Sequence, residues 1–122
     1  MEDKSIAEKI LLYIEEHLDQ ELTLEKLAKE FCYSKFYMTR TFKENTGTTI
    51  YQYIQRRRLE EAAGKLAETD RPIVEIALEA GYGSQQAFTR SFHDRYGSTP
   101  QEYRKTWKTR SLFLSAGRRA AA

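Results

Sequence analysis

The sequence predicts an all-α chain of seven helices, and three observations carry that expectation. Nothing alternates with period two for long, so no sheet is expected. Only two prolines and six glycines interrupt the 122 residues, most at plausible element edges. Apolar residues recur at helical spacing from Ile6 to beyond Phe92. The third observation has a second layer, because part of the chain is written twice. LEKLAKEFCY (24–33) matches IVEIALEAGY (73–82), and SKFYMTRTFKENTGTTIYQY (34–53) matches SQQAFTRSFHDRYGSTPQEY (84–103). The offset moves from 49 to 50 because Gly83 is inserted. Ten of the thirty aligned positions are identical, where unrelated segments would share roughly two. A unit that appears twice is one supersecondary element used twice.

Ile6, Ile10, Leu11, Ile14 and Leu18 give a first helix over about 4–19 an apolar face. Thr23 is an N-cap for a short helix over 24–31, with Leu24, Leu27 and Ala28 inward. Ser34 caps a helix over 35–45 whose inward stripe is Met38, Thr41 and Phe42, and Gly47 closes it. A long helix over 49–68 buries Tyr53, Ile54, Leu59, Ala62, Ala63 and Leu66. Pro72 suits the first turn of a helix over 72–80, and Gly81 provides a tight turn. Ser84 caps a helix over 85–95 with Phe88 and Phe92 inward. Thr99-Pro100-Gln101-Glu102 combines a capping box with proline at the first helical position and starts a helix over 100–108. Trp107 is expected to hold that helix down, and residues 109–122 are expected to form a poorly ordered tail.

A short helix, a tight turn and a second helix with polar and basic outer residues is a helix-turn-helix. The chain is therefore read as residues 1–108 in two such homeodomain-like subdomains, about 4–48 and 69–108, joined by the linker helix 49–68. Two copies in one chain suggest a monomer that grips two stretches of one DNA groove.

The bulk composition bounds the alternatives. The lone Cys32 excludes a disulfide framework, and no apolar run approaches a membrane span. A cytoplasmic protein with no membrane contact is expected. The net charge of +2 carries little information, but its distribution does. Residues 1–30 hold four basic and nine acidic side chains, residues 31–58 hold six and one, and residues 104–122 hold six and none. Positive charge collects on the second helix of the first repeat, on the helix after it and at the C-terminal end. His17, His93 and Cys32 lack metal-ligand spacing, and no nucleophile–base set or Gly-rich phosphate loop is present. Neither a metal, a cofactor nor an enzymatic activity is expected.

With Met38 and Phe42 inward, the helical period turns Lys35, Phe36, Thr39, Arg40 and Lys43 outward. A basic face on a short helix suits a phosphate-lined groove. Arg40 can pair with guanine O6 and N7, while Phe36 or Thr39 can touch a thymine methyl. The second repeat turns Gln85, Gln86, Thr89 and Arg90 outward. Glutamine suits adenine and arginine suits guanine. Ser34 and Ser84 are helix caps first, and their backbone amides can also meet phosphates. A structural alternative pairs Arg40 with Glu44 and Arg90 with Asp94 at i+4. Arg56, Arg57 and Arg58 read first as a solvated or salt-bridged face. The outer residues differ between repeats while the inner ones match, so the target should be asymmetric, with two contacts about one turn, ~34 Å, apart.

The second repeat and its continuation, IALEAGYGSQQAFTRSFHDRYGSTPQEYR, resemble the signature of the AraC/XylS family of bacterial transcription regulators. LEKLAKEFCYSKFYMTRTFKENTG resembles that family's first helix-turn-helix, and the likeness is greatest to its MarA, SoxS and Rob group. The resemblance covers about residues 5–108. It implies that the third and sixth helices enter adjacent major grooves, that the site is bound by a monomer and bent, and that RNA polymerase is recruited, mostly for activation. Carried onto matching positions, it implies base reading by Phe36, Thr39, Arg40, Gln85, Gln86 and Arg90. It implies phosphate contacts by Lys35, Tyr37, Lys43 and Thr89. Phe36 stands where the close relatives have tryptophan, Thr39 where they have glutamine and Cys32 where the family has a turn glycine. The first repeat is thus expected to prefer a different sequence. The chain leaves no room for the effector-binding domain of many members. It reads as a standalone regulator or as the DNA-binding fragment of a longer, effector-responsive one. A further alternative is a polymerase- or protein-interaction module with weak DNA affinity.

Overall fold

The computed structural model describes the backbone of residues 2–121 and the side chains of residues 6–116. Within them lie seven helices and no strand: α1 (Glu2–Glu16), α2 (Leu24–Phe31), α3 (Lys35–Thr46), α4 (Ile50–Glu68), α5 (Ile73–Glu79), α6 (Gln85–Tyr96) and α7 (Pro100–Ala121). The chain divides into two compact units, residues 1–58 and 59–122, and the division falls inside α4. Each unit has its own core.

In the first unit, Ile6, Ile10 and Ile14 of α1 meet Leu27 of α2, Met38 and Phe42 of α3, and Ile50 and Ile54 of α4. The 3.6-residue spacing places these side chains on one face of each helix. Thr41 is buried beside them, as the inward stripe required. The α2–α3 turn is tight because Cys32 adopts a left-handed conformation, φ 59°. Its N–H and that of Tyr33 both return to the carbonyl of Ala28. Ser34 Oγ accepts from the Tyr37 N–H at 3.0 Å and starts α3, and Gly47 ends it at φ 79°.

In the second unit, Leu59, Ala62, Ala63 and Leu66 of α4 surround Ile76, Ala77, Ala80, Phe88 and Phe92. The repeat explains the reuse of α4. Its first part closes the first core and its second part takes, in the second core, the place that α1 takes in the first. Gly81 is the equivalent of Cys32 and is also left-handed, at φ 90°. Tyr82 N–H then bonds to Ala77 O at 3.1 Å, as Tyr33 does to Ala28 at 3.2 Å. Ser84 Oγ accepts from Ala87 N–H at 3.1 Å and Gly97 closes α6. The Thr99–Glu102 capping box forms reciprocally at 2.9 and 3.1 Å. A matching box at Thr49–Gln52, 3.3 and 3.0 Å, starts α4 and was equally legible as T-x-x-Q.

Three expectations need correction. The first helix ends at Glu16 instead of 19, and tertiary contact holds its frayed end. Arg58 donates to the carbonyls of Leu18 and Gln20 at 3.2 and 2.5 Å, taking acceptors that a further turn would use. The last helix, expected to stop near 108 with an irregular tail after it, stays helical to Ala121. From Gln101 to Ala116 no glycine or proline stops it, and its leucines, arginines and lysines favour the helix. The lack of an apolar period predicts an end near 108, yet a solvated helix needs no apolar face. Trp107 is 40% exposed and lies at the rim against Tyr103 and under Arg110, outside the buried core.

Candidate nucleic-acid interface

Burying Met38, Thr41 and Phe42 fixes the rotation of α3 and forces the opposite face outward. Lys35, Phe36, Thr39, Arg40 and Lys43 are all exposed on it, and Ser34 stands exposed at its start. Phe36 is 74% exposed, which no packing role explains. Tyr37 is half-buried and leans on Tyr33, with ring centroids 5.4 Å apart. It belongs to the flank of the helix.

Two cations of α3, Lys35 and Arg40, have neighbours of opposite charge. Lys35 Nζ reaches Glu25 of α2 at 2.8 Å, and its ammonium holds that carboxyl below the usual carboxylate range. Both side chains are more than half exposed, so a phosphate can compete for the lysine. Arg40 lies between two partners. Its Cζ is 5.6 Å from the Phe36 ring centroid, and its Nε is 3.9 Å from Glu44 Oε1. The i+4 ion pair weighed from the sequence is therefore present in the first unit.

The α6 surface has a different character. Phe88 and Phe92 face inward, and Ser84, Gln85, Gln86 and Arg90 are exposed, with Thr89 half-buried. Among the described residues Gln85, Gln86 and Arg90 make no side-chain hydrogen bond or ion pair. Arg90 and Asp94, spaced like Arg40 and Glu44, do not form the corresponding bridge there. Two uncommitted amides and a guanidinium thus share one outer face.

The arginines of α4 divide by role. Arg57 clamps Glu15 through Nε and Nη2 at 2.8 and 2.9 Å, and Tyr53 adds its hydroxyl at 2.8 Å. The Arg57 guanidinium, with that hydroxyl, outweighs partial burial and holds Glu15 below the usual carboxylate range. Arg58 caps the end of α1, as above, and Arg56 lies over the Tyr53 ring at 5.4 Å. The salt-bridged reading of this triplet therefore holds for Arg57. Its partner sits 42 residues away, beyond any local signal. The Lys35–Glu25 pair was missed for the same reason.

Among the described residues no group of three or more His, Cys, Asp or Glu could hold a metal, and no helix is long and apolar enough to cross a membrane. A shallow hollow is lined by Lys105, Thr106, Thr109, Arg110 and Phe113, all of α7.

A family profile described as "Helix-turn-helix domain" matches residues 27–106. The chain is 42% identical over 104 residues to the regulatory protein SoxS of Escherichia coli (strain K12), covering 85% of this chain and 97% of that protein. It is 42% identical over 106 residues to the right origin-binding protein of the same strain, covering 87% of this chain but only 37% of that relative. Among solved structures it is similar to the C-terminal domain of AraT, a response regulator from Geobacillus stearothermophilus. That match has 35% identity and a TM-score of 0.77 over 83% of this chain and 84% of the other. The DNA-binding domain of AdpA, a global transcriptional factor solved with a target DNA, matches with 27% identity and a TM-score of 0.78 over 85% and 94%.

Proposed function

This chain belongs to the AraC-type helix-turn-helix family of DNA-binding transcription regulators, and we propose that it lays α3 and α6 into adjacent major grooves of one asymmetric promoter site, as a monomer. The observation that carries this reading is the pairing of matched cores with unmatched outer faces. Met38/Phe88 and Phe42/Phe92 orient both helices alike. The outer sets differ: Phe36, Thr39 and Arg40 on one, Gln85, Gln86 and Arg90 on the other. Two unlike readers in one chain need two unlike half-sites, whereas a symmetric dimer reads a palindrome.

Base selection falls to those six residues. Arg40 and Arg90 would fork onto guanine, Gln85 and Gln86 onto adenine, and Phe36 and Thr39 would meet thymine methyls. Lys35, Tyr37, Lys43 and Thr89, with the amides beneath Ser34 and Ser84, would hold phosphates and set the register. RNA polymerase is the proposed partner, and activation the proposed outcome, by analogy with the regulatory relatives. The test is selection from genomic DNA fragments by purified protein at near-physiological salt. An enriched asymmetric motif with two half-sites about one turn, ~34 Å, apart is expected. A palindrome, or no enrichment by a folded protein, would overturn the reading.

A further inference from the structure

Residues 31–58 hold six basic side chains and one carboxylate, and that carboxylate is on the reading helix. Glu44 sits one turn beyond Arg40, 62% exposed, with Oε1 3.9 Å from Arg40 Nε. We propose that Glu44 is a specificity-determining residue: it holds Arg40 away from DNA phosphates and leaves its fork available to a guanine edge. The proposal rests on the groove-reading role assigned to α3 above.

Helix stability does not account for the placement. A carboxylate in the last turn opposes the helix dipole, and arginine preceding glutamate by four residues is the weaker orientation of an i+4 pair. Core packing does not account for it either, because both partners are more than half exposed. What the position does is flank the guanidinium. Phe36 lies on one side, its ring centroid 5.6 Å from Arg40 Cζ, and Glu44 lies on the other. The second unit lacks this arrangement: Gln86 stands where the first has Phe36, and no Arg90–Asp94 bridge forms among the described residues.

The physical consequence follows from how DNA is bound without regard to sequence. Each cation that neutralises a phosphate contributes equally on every duplex, through counterion release. A carboxylate 3.9 Å from Arg40 Nε offsets part of the guanidinium's charge and repels phosphates, so this sequence-independent term is reduced. Pairing with guanine suffers less, since the base edge presents neutral acceptors in fixed geometry, which a neighbouring carboxylate repels less than it repels a charged phosphate. Random DNA is therefore penalised more than the cognate site. The discrimination comes from repulsion of the wrong state, without an added contact to the right one.

The test compares Glu44→Gln with the parent protein on its selected duplex and on a random duplex of equal length, from 50 to 300 mM salt. The expected result is roughly a five- to tenfold gain on random DNA at 0.1 M salt, with a log–log salt slope there steeper by about 0.9. The selected duplex should gain no more than about twofold, so the specificity ratio falls. In addition, 7-deazaguanine at the Arg40 half-site should weaken the parent more than the variant, because the variant gives part of its arginine to phosphate. Equal gains on both duplexes would reduce Glu44 to a general charge, and unchanged affinity on both would remove its role; either overturns the proposal. A parent protein that fails to distinguish the two duplexes at all would instead overturn the groove-reading assignment itself.

Discussion

Arg90 is the residue on which the second reader can be tested most directly. Its side chain makes no ion pair or hydrogen bond among the described residues, so truncation removes a potential DNA contact and leaves the protein's own bonding intact. Arg90→Ala is expected to cost about 1–3 kcal/mol on the selected duplex and to relax preference at one position of its half-site, measured by competition binding. An equal loss on random DNA would mark it as a phosphate contact. Cys32 supplies the opposite kind of prediction, about stability. It is the one described non-glycine residue with positive φ, at 59°, where its repeat partner is glycine. Its Cβ crowds the backbone by about 1–2 kcal/mol. Glycine returns part of that through a freer unfolded chain, roughly 0.4–1 kcal/mol. Cys32→Gly should therefore stabilise by about 0.5–1 kcal/mol in urea titration with an unchanged m-value. A loss of stability would show that the thiol, 3.8 Å from Lys29 O, does more than occupy the turn.

At the scale of elements, the α4–α5 junction is tied by charge. Glu79 of α5 bonds Arg71 through both carboxylate oxygens and Lys65 of α4 at 2.9 Å, while Arg71 also reaches Glu75. The Arg71 and Lys65 hydrogen bonds lower the Glu79 pKa to about 2. The folded-state pKa is depressed, so this contribution is complete above the ordinary value of 4.5 and is lost as pH falls towards about 2. The side chain is 41% exposed, so solvent screening keeps the effect modest. Glu79→Gln should flatten the pH dependence of unfolding between about 4.5 and about 2, with salt reducing the difference. A variant whose acid sensitivity matches the parent would show that the cluster only decorates the surface. Arg104 ties the same corner, donating to Leu66 O and Arg71 O at 3.1 and 2.7 Å. The links made by Glu79 and Arg104 join residues 8 to 38 apart, and no periodicity announces them.

At the scale of the molecule, two cores hang on one continuous helix. Phe92 is fully buried in the second core, where Tyr96 stacks on it and Tyr103 meets it edge-on. Phe92→Ala should cost about 3–5 kcal/mol, a large fraction of the stability of a small domain. Amide exchange should then accelerate in α5, α6 and the start of α7, while α1 to α3 keep most of their protection. Uniform loss across both units would mean that they unfold as one. Phe42→Ala should give the mirror pattern, and in either case DNA binding should fall, because one disordered unit removes one of the proposed half-site contacts.

The sequence by itself determined what is periodic or punctuated. Matched inner stripes oriented α3 and α6, and caps at Ser34, Ser84 and Thr99 placed the starts of α3, α6 and α7. From those rotations the outward sets around Arg40 and Arg90 followed, because a helix that buries one face must expose the other. Only the tertiary structure decided which charges are already engaged. Lys35 with Glu25, Arg57 with Glu15 and Arg58 with the end of α1 are meetings of residues far apart along the chain. It also decided where α1 stops and α7 continues. A helix end is set by competing acceptors and solvent as much as by its own residues, and the order of residues alone does not encode which side chain will arrive.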